Sequence, residues 1–517
     1  MTFERALVAA RQRRHDEAVL SDLARSALAE GREESALPML RAAAERSQVA
    51  LLWQWTALLE RSLDEYEASL ASFGRAAALA PADLGIAHGH ARVALEAGVP
   101  AEALFAEALR LSPTDGDLLL GYVASLFAAG RLQAAEATLE NAVTRSPFWS
   151  EGHLQLAHLR SRMGKRQQAT ASVEQALRQY PGQEQLWIAL FRLHLQAEQF
   201  AALDDAVARA RAHLPPSEML LSYETIAAAE RGDGARADRL FNGMNPGLRA
   251  SLEIYRIRHL LRSERVELAC AAIDSTLKTS QAADVWPYAS VAWRLAGDPR
   301  WQWLEGDLDR LVTVVDLTAD LPTMAGLEQA LRRLHVAEGE YLDQSVRGGS
   351  QTDGPLFTKI DSNVRGLRSA VVSAVEAHVR NLPARDPSHP LLAPPRDQRI
   401  RFSGSWSVLL RGSGYHANHV HPQGWISSAF YIRVPEPAAG DSPNSGWLTL
   451  GEPQQGLAVD LAPFREIEPK PGRLVLFPSY MWHGTRPFAA GERLTAAFDV
   501  RHPIQTQIGT VGLSTSA

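Results

Sequence analysis

The chain has 517 residues, 53 basic and 59 acidic side chains and a formal net charge of −6, a balance that offers no electrostatic footing for nucleic acid or an anionic membrane. Its length exceeds one ordinary core, so two or more domains are expected, and 46% hydrophobic with 22% charged residues is a globular composition. The single cysteine, Cys270, excludes an intramolecular disulfide and a cysteine-based zinc site; the absence of a signal-like N-terminus or a membrane-length apolar run makes a soluble cytoplasmic protein the expectation.

Residues 1 to about 315 are rich in Ala, Leu, Glu and Arg, which favour helix. Prolines fall at Pro81, Pro113, Pro147, Pro181 and Pro215, at intervals of 32, 34, 34 and 34. Gly98, Gly130 and Gly164 keep the same beat, and alanine pairs such as Ala135/Ala142 recur between them. This pattern resembles the tetratricopeptide repeat, a helix hairpin closed by proline. One hairpin cannot bury its apolar face alone, so hairpins stack into an α-solenoid. Earlier hairpins are expected near 17–47 and 50–80, and later helices at Glu218–Arg231, Leu248–Arg262 and Val266–Thr279. Trp286, Trp293, Trp301 and Trp303 around Gly297-Asp298-Pro299 read as core or as a packing seam.

From 316 onward a second domain is expected. Thr313–Leu317 reads as a short strand, and 323–338 and 364–380 as flanking helices. Between them, Gln344-Ser-Val-Arg-Gly-Gly-Ser-Gln-Thr352 reads as a loop, either a tight entry to the next domain or a lid over a ligand. After the proline-rich 383–395, short strands dominate: Ile400–Phe402, Trp406–Leu410, Trp425–Val434, Trp447–Leu450, Arg473–Phe477 and Leu494–Val500. Such strands with Gly/Pro turns predict an antiparallel barrel or sandwich.

The chemistry concentrates there. His419 and His421 are two apart, so in extended chain they share a face; Trp482-His483-Gly484, just beyond another strand, can close a three-sided cluster around one ion. In Arg493–Val500, Arg493, Thr495, Ala497 and Asp499 alternate onto one face. An arginine facing a barrel interior is costly unless an anion meets it, and its planar fork matches a carboxylate. A metal cluster followed by a carboxylate-binding arginine suits an oxygenase that uses a 2-oxo acid. His416 and Asn418 fall on the opposite parity, although a bulge would let His416 replace His421. An alternative use of three histidines, water activation on zinc, needs a nearby general base and has no call for Arg493.

Five motifs in order, His419-x-His421-Pro, Gly424-Trp-Ile-Ser-Ser-Ala-x-Tyr431, Pro471-Gly-Arg-Leu-Val-Leu-Phe-Pro-Ser479, Trp482-His-Gly-Thr485 and Arg493-x-Thr495, resemble bacterial 2-oxoglutarate/Fe(II)-dependent dioxygenases related to prolyl hydroxylases. The resemblance covers roughly the last third of the chain. It implies a double-stranded β-helix (jelly roll) over 316–517, Fe(II) held by His419 and His483, and 2-oxoglutarate and O2 as cosubstrates. It also implies that Arg493 and Thr495 take the far carboxylate; Tyr431 would add a donor if its face looks inward. The family's usual first motif is His-x-Asp or His-x-Glu, whereas His421 stands here, leaving either His421 itself or water as third ligand. The reading is therefore a hydroxylase acting on a protein or peptide docked by repeats in 1–315. The alternative is a non-catalytic scaffold with a degenerate jelly roll.

Overall fold

The computed structural model describes residues 2–342 and 344–503. They form two compact units, one of residues 2–139 with 353–368, the other of 140–352 with 369–503.

The first unit is a run of antiparallel helices, including Tyr66–Leu79, Leu84–Ala97, Glu102–Leu111 and Gly116–Ala128. Asp83 and Asp115 begin two of them by accepting a backbone N–H from three residues on. Pro81 and Pro113 fall in the turns before those caps, where the missing N–H costs nothing. The repeat beat has a packing cause. Gly89 and Gly121 each receive a phenylalanine ring from the preceding helix, Phe73 and Phe105, at a distance that leaves no space for a Cβ. Gly121→Ala is therefore expected to overpack this contact and cost about 1–3 kcal/mol, read as a lower urea midpoint at unchanged helical ellipticity. Segment 353–368 returns to this unit: Lys359 Nζ donates to the carbonyls of Leu95 and Glu96, a cation on a helix C-terminus.

The second unit continues the hairpins with Ser150–Arg162, Ala171–Gln179, Glu184–Gln196, Phe200–Ala210, Glu218–Glu230 and Gly234–Gly243. The predicted helix at Leu248–Arg262 is broken at Leu252, because Asn245 caps a separate short helix, Pro246–Ser251, ahead of Glu253–Arg262. Ala282–Ala296 follows, and the longer helix Ser362–Asn381 comes later in the chain. No helix among the described residues is long and apolar enough to cross a membrane.

Among the described residues nine strands follow: β1 Thr313–Asp316, β2 Val346–Gln351, β3 Phe402–His416, β4 Gly424–Arg433, β5 Leu448–Leu450, β6 Arg465–Ile467, β7 Arg473–Pro478, β8 His483–Thr485 and β9 Glu492–Arg501. They make two antiparallel sheets, one ordered β1-β7-β4-β9-β3-β2 and one ordered β6-β5-β8. Neighbours out of chain order within the larger sheet, with a smaller antiparallel sheet beside it, make a two-sheet β-domain of the jelly-roll kind. The cluster of Tyr431, Leu448, Leu450, Val475, Phe477 and Met481 fills the space around the smaller sheet.

Three sequence expectations are corrected here. The helix expected over 323–338 spans only Met324–Leu334, because the His335 ring is held between the hydroxyls of Ser350 and Ser407, 3.0 Å from each. The expected loop or lid at Gln344–Thr352 is mostly strand β2, paired to β3; Gly348, at φ 72°, absorbs the irregularity in its register. The two strands expected across 400–410 are one long β3 beginning at Phe402.

The helical and β parts of the second unit are bonded together. Trp482 Nε1 donates to the Pro287 carbonyl at 3.0 Å, and the Tyr480 hydroxyl to the Leu304 carbonyl at 2.9 Å. Arg262 and Arg294 cap carbonyls of the 451–462 loop. Trp286 packs against Trp293 and Trp303 at the same place. The turn that leads into His483 is thereby anchored on both sides.

Candidate metal and carboxylate site

His483 opens β8, and His419 lies in the turn after β3. The two are joined by a two-way backbone bridge, each N–H donating to the other's carbonyl at 2.9 and 3.0 Å. His421 follows, its N–H on the Ser479 carbonyl. The bridge brings the rings together: centroids lie 4.2 Å apart for His419 and His483, 4.9 Å for His419 and His421, and 5.2 Å for His421 and His483. One ring nitrogen from each falls within 4.8 Å of the others.

The remaining nitrogens are already engaged. Nδ1 of His419 lies 2.8 Å from the Ala417 carbonyl and Nδ1 of His483 3.0 Å from the Met481 carbonyl. Nδ1 of His421 lies 2.5 Å from an Asp499 carboxylate oxygen. This leaves the three Nε2 atoms as the ones that can converge on a cation. His416 stays outside the group; its ring stacks beside His419 at 6.0 Å, so no bulge substitutes it for His421. The Ser345 hydroxyl sits 3.3 Å from His416 Nδ1 and 3.2 Å from His419 Nε2.

Burial, with the neighbouring imidazoles adding, holds His419 and His483 well below the ordinary histidine range, and it takes His416 down to about 3. Burial acts on His421 too, but the Asp499 carboxylate outweighs it and raises that ring. Two neutral imidazoles and a third held by a carboxylate form an electron-donating set.

Arg493, Thr495, Ala497 and Asp499 line the same pocket as the histidines, as the alternation along β9 predicts. Arg493 is 2% exposed. Its Nη1 donates to the Gly446 carbonyl at 3.1 Å, its Nε has no hydrogen-bond partner, and no carboxylate among the described residues pairs with it. Glu492, the neighbour most able to neutralise it, is taken instead by Arg332 at 2.8 Å. The Tyr431 ring lies 5.0 Å from the Arg493 guanidinium carbon, and the Tyr431 hydroxyl is likewise buried without a partner. The Thr495 hydroxyl has only a long contact, 3.5 Å, to the Val408 carbonyl. A buried guanidinium with unused donors is costly in this state and is relieved by an anion.

Residues 404–499 match the family model of the putative 2OG-Fe(II) oxygenases. That match lies within the β-domain. Residues 99–159 match a tetratricopeptide-repeat model, so the helical region ahead of the oxygenase domain carries repeats of that kind. Among curated proteins, none matches the sequence. Solved structures similar to part of the chain include a tetratricopeptide repeat protein from Parabacteroides merdae, at 16% identity over 44% of this chain and 90% of that one, with a TM-score of 0.31. Two others are MamA from residue 41 onward of Desulfovibrio magneticus RS-1 (15% identity, 32% and 97% covered, TM-score 0.28) and YrrB, described as a TPR protein with an unusual peptide-binding site (16%, 37% and 97%, TM-score 0.28).

The β-domain thus brings together His419, His421, His483, Arg493 and Thr495 around one pocket, with Tyr431 against Arg493. Two contributors are not anticipated from sequence. Asp499 had a signal, since it shares a face with Arg493, but its partner lies 78 residues away. Ser345 lies in the stretch read as an entry loop or a ligand lid, but nothing in the sequence pairs it with His419.

Proposed function

We propose that this protein is a 2-oxoglutarate- and Fe(II)-dependent dioxygenase that hydroxylates a protein or peptide side chain. The observation that carries the reading is the pairing of two features in one pocket: three imidazoles whose ring nitrogens converge within 4.8 Å, and a buried Arg493 that no carboxylate among the described residues pairs with. A zinc hydrolase would account for the first and leave the second unexplained.

His419, His483 and His421 would hold the iron. Arg493 would take the far carboxylate of 2-oxoglutarate in its planar fork, with Thr495 and Tyr431 orienting it. When bound, Fe(II) with 2-oxoglutarate and O2 supplies the oxidising chemistry that converts a C–H bond to C–OH, releasing succinate and carbon dioxide. The chain's own part is to hold the ligands in one orientation and to surround them with apolar groups. Phe477, whose ring centroid is 4.7 Å from that of His483, and Leu448 limit water around the cluster.

The peptide half of the reading is supported by the repeats and by one local arrangement. A non-helical stretch of this chain, Glu338–Leu342, lies on the helix Ser150–Arg162: the N–H groups of Glu338 and Gly339 donate to the Arg162 carbonyl, and the Ser161 hydroxyl to the Glu340 carbonyl. Leu342 joins Leu154 and Leu186 in the core. Three residues later Ser345 meets His419. Irregular chain bonded to a repeat helix in this way is the kind of contact by which an extended peptide would dock elsewhere along the repeats.

The test is full-length protein loaded anaerobically with Fe(II), supplied with 2-oxoglutarate, ascorbate and a peptide library, and then exposed to O2. Succinate above that of a His483→Ala control is expected, with a mass gain on the peptide. A preparation that binds no stoichiometric iron or cobalt returns the chain to the scaffold reading.

A further inference from the structure

We infer that Asp499 completes the metal centre from beyond the ligands: it locks His421 into its ligating orientation and returns the negative charge that a set of three imidazoles lacks. This rests on reading His419, His421 and His483 as the ligands.

The three histidines look alike in the sequence but are held differently. His419 and His483 each direct Nδ1 at a backbone carbonyl two residues earlier, a neutral acceptor. His421 alone directs it at a carboxylate. The Asp499 carboxylate is itself fixed at both ends. One oxygen lies 2.5 Å from His421 Nδ1, and the other accepts from the Ser427 hydroxyl at 2.5 Å. Strand register produces the second contact, because Ser427 on β4 stands opposite Asp499 on β9. Ser479 backs it at 3.0 Å from Ser427, and the Trp406 ring stacks on the His421 ring at 5.5 Å and 18°. His421 therefore has one orientation available, with Nε2 toward the other two nitrogens.

The charge argument follows from the chemistry of the donors. Three neutral imidazoles leave a divalent cation with its full charge in a buried site, where a carboxylate ligand would remove part of it. The His-x-Asp or His-x-Glu pattern provides that carboxylate directly. Here it sits one hydrogen bond further out, polarising the imidazole and making it a stronger donor. A plain buried ion pair would give the same distances, but removing its carboxylate would not weaken metal binding, which separates the two explanations.

The experiment is anaerobic titration of the full-length, metal-free protein with Co(II), followed by absorption, alongside thermal unfolding without metal. Asp499→Asn is expected to weaken Co(II) binding about 10- to 100-fold, beyond any change in metal-free stability. Ser427→Ala, which frees one carboxylate oxygen and leaves the charge in place, is expected to give a smaller loss in the same direction. His421→Asp restores a carboxylate among the ligands, so adding Asp499→Asn to it is expected to cost under about threefold. Wild-type affinity in Asp499→Asn, or an equal loss from Asp499→Asn in both backgrounds, overturns the proposal while leaving the oxygenase reading intact. Failure of the unaltered protein to bind Co(II) overturns both. If Asp499→Asn does not fold, Ser427→Ala decides: unchanged affinity there counts against the proposal.

Discussion

Replacing Arg493 with methionine is expected to weaken 2-oxoglutarate binding roughly a hundredfold or more while making the ligand-free protein more stable. The two effects have one origin. The guanidinium is 2% exposed, has one carbonyl partner on Nη1 and none on Nε, and burial holds its pKa below the ordinary arginine value. An uncompensated buried charge costs the fold, so an apolar side chain of similar length removes that cost, by about 1–3 kcal/mol. Once a carboxylate enters, the same guanidinium becomes a desolvated ion-pair partner, and its loss is correspondingly severe. Calorimetric titration of Co(II)-loaded protein with 2-oxoglutarate measures the first effect and urea unfolding of metal-free protein the second. Arg493→Lys keeps the charge without the planar fork and should fall between. Unchanged 2-oxoglutarate affinity in Arg493→Met would remove the cosubstrate from this pocket.

The second large effect concerns pH and lies away from the pocket. Glu305 is 1% exposed; burial raises its pKa from 4.5 to about 7, against the opposing pull of Ser290 and Arg294. The Ser290 hydroxyl donates to one carboxyl oxygen, and the other has no partner. Because the folded pKa exceeds the unfolded one, the fold favours the protonated form. Below about pH 4.5 both states are protonated and there is no penalty. Between 4.5 and 7 the unfolded chain ionises first, so stability falls as pH rises. Above 7 the loss levels off at about 3 kcal/mol. Glu305→Gln keeps an acceptor for Ser290 and cannot ionise. It is expected to be more stable than the unaltered protein by about 2–3 kcal/mol at pH 8.5 and by under about 1 kcal/mol at pH 5. Urea midpoints at the two pH values check this; an equal gain at both would mean that ionisation of Glu305 is not what limits the fold. Since the adjacent Leu304 carbonyl accepts from Tyr480, shortly before His483, the variant also tests whether that anchor tolerates a neutral neighbour.

The helix hairpins were legible in the sequence because their determinants are local. Proline in a turn, glycine at a helix end and alanine at a helix contact act within one or two helices, and the 34-residue beat exposes them; the aspartate caps and the glycines under Phe73 and Phe105 appear only in the structure. The face shared by Arg493, Thr495, Ala497 and Asp499 was legible for the same reason, since strand alternation needs no partner. Strands β6 and β8, at three residues each, are too short to show a period; they exist because β5 lies between them. The helix expected to reach 338 stops at Leu334 because Ser350 and Ser407, far along the chain, hold His335.

What the sequence determined by itself was therefore the set of parts: repeats, antiparallel strands, three histidines and an arginine of the right kind. Only the tertiary structure decided how they meet. The His419–His483 bridge spans 64 positions, and the His421–Asp499 and Ser427–Asp499 contacts follow from β4–β9 register, which is interrupted by shifts at both ends. Pairing across such separations is set by which strands bury their apolar faces together, and no window along the chain contains that information.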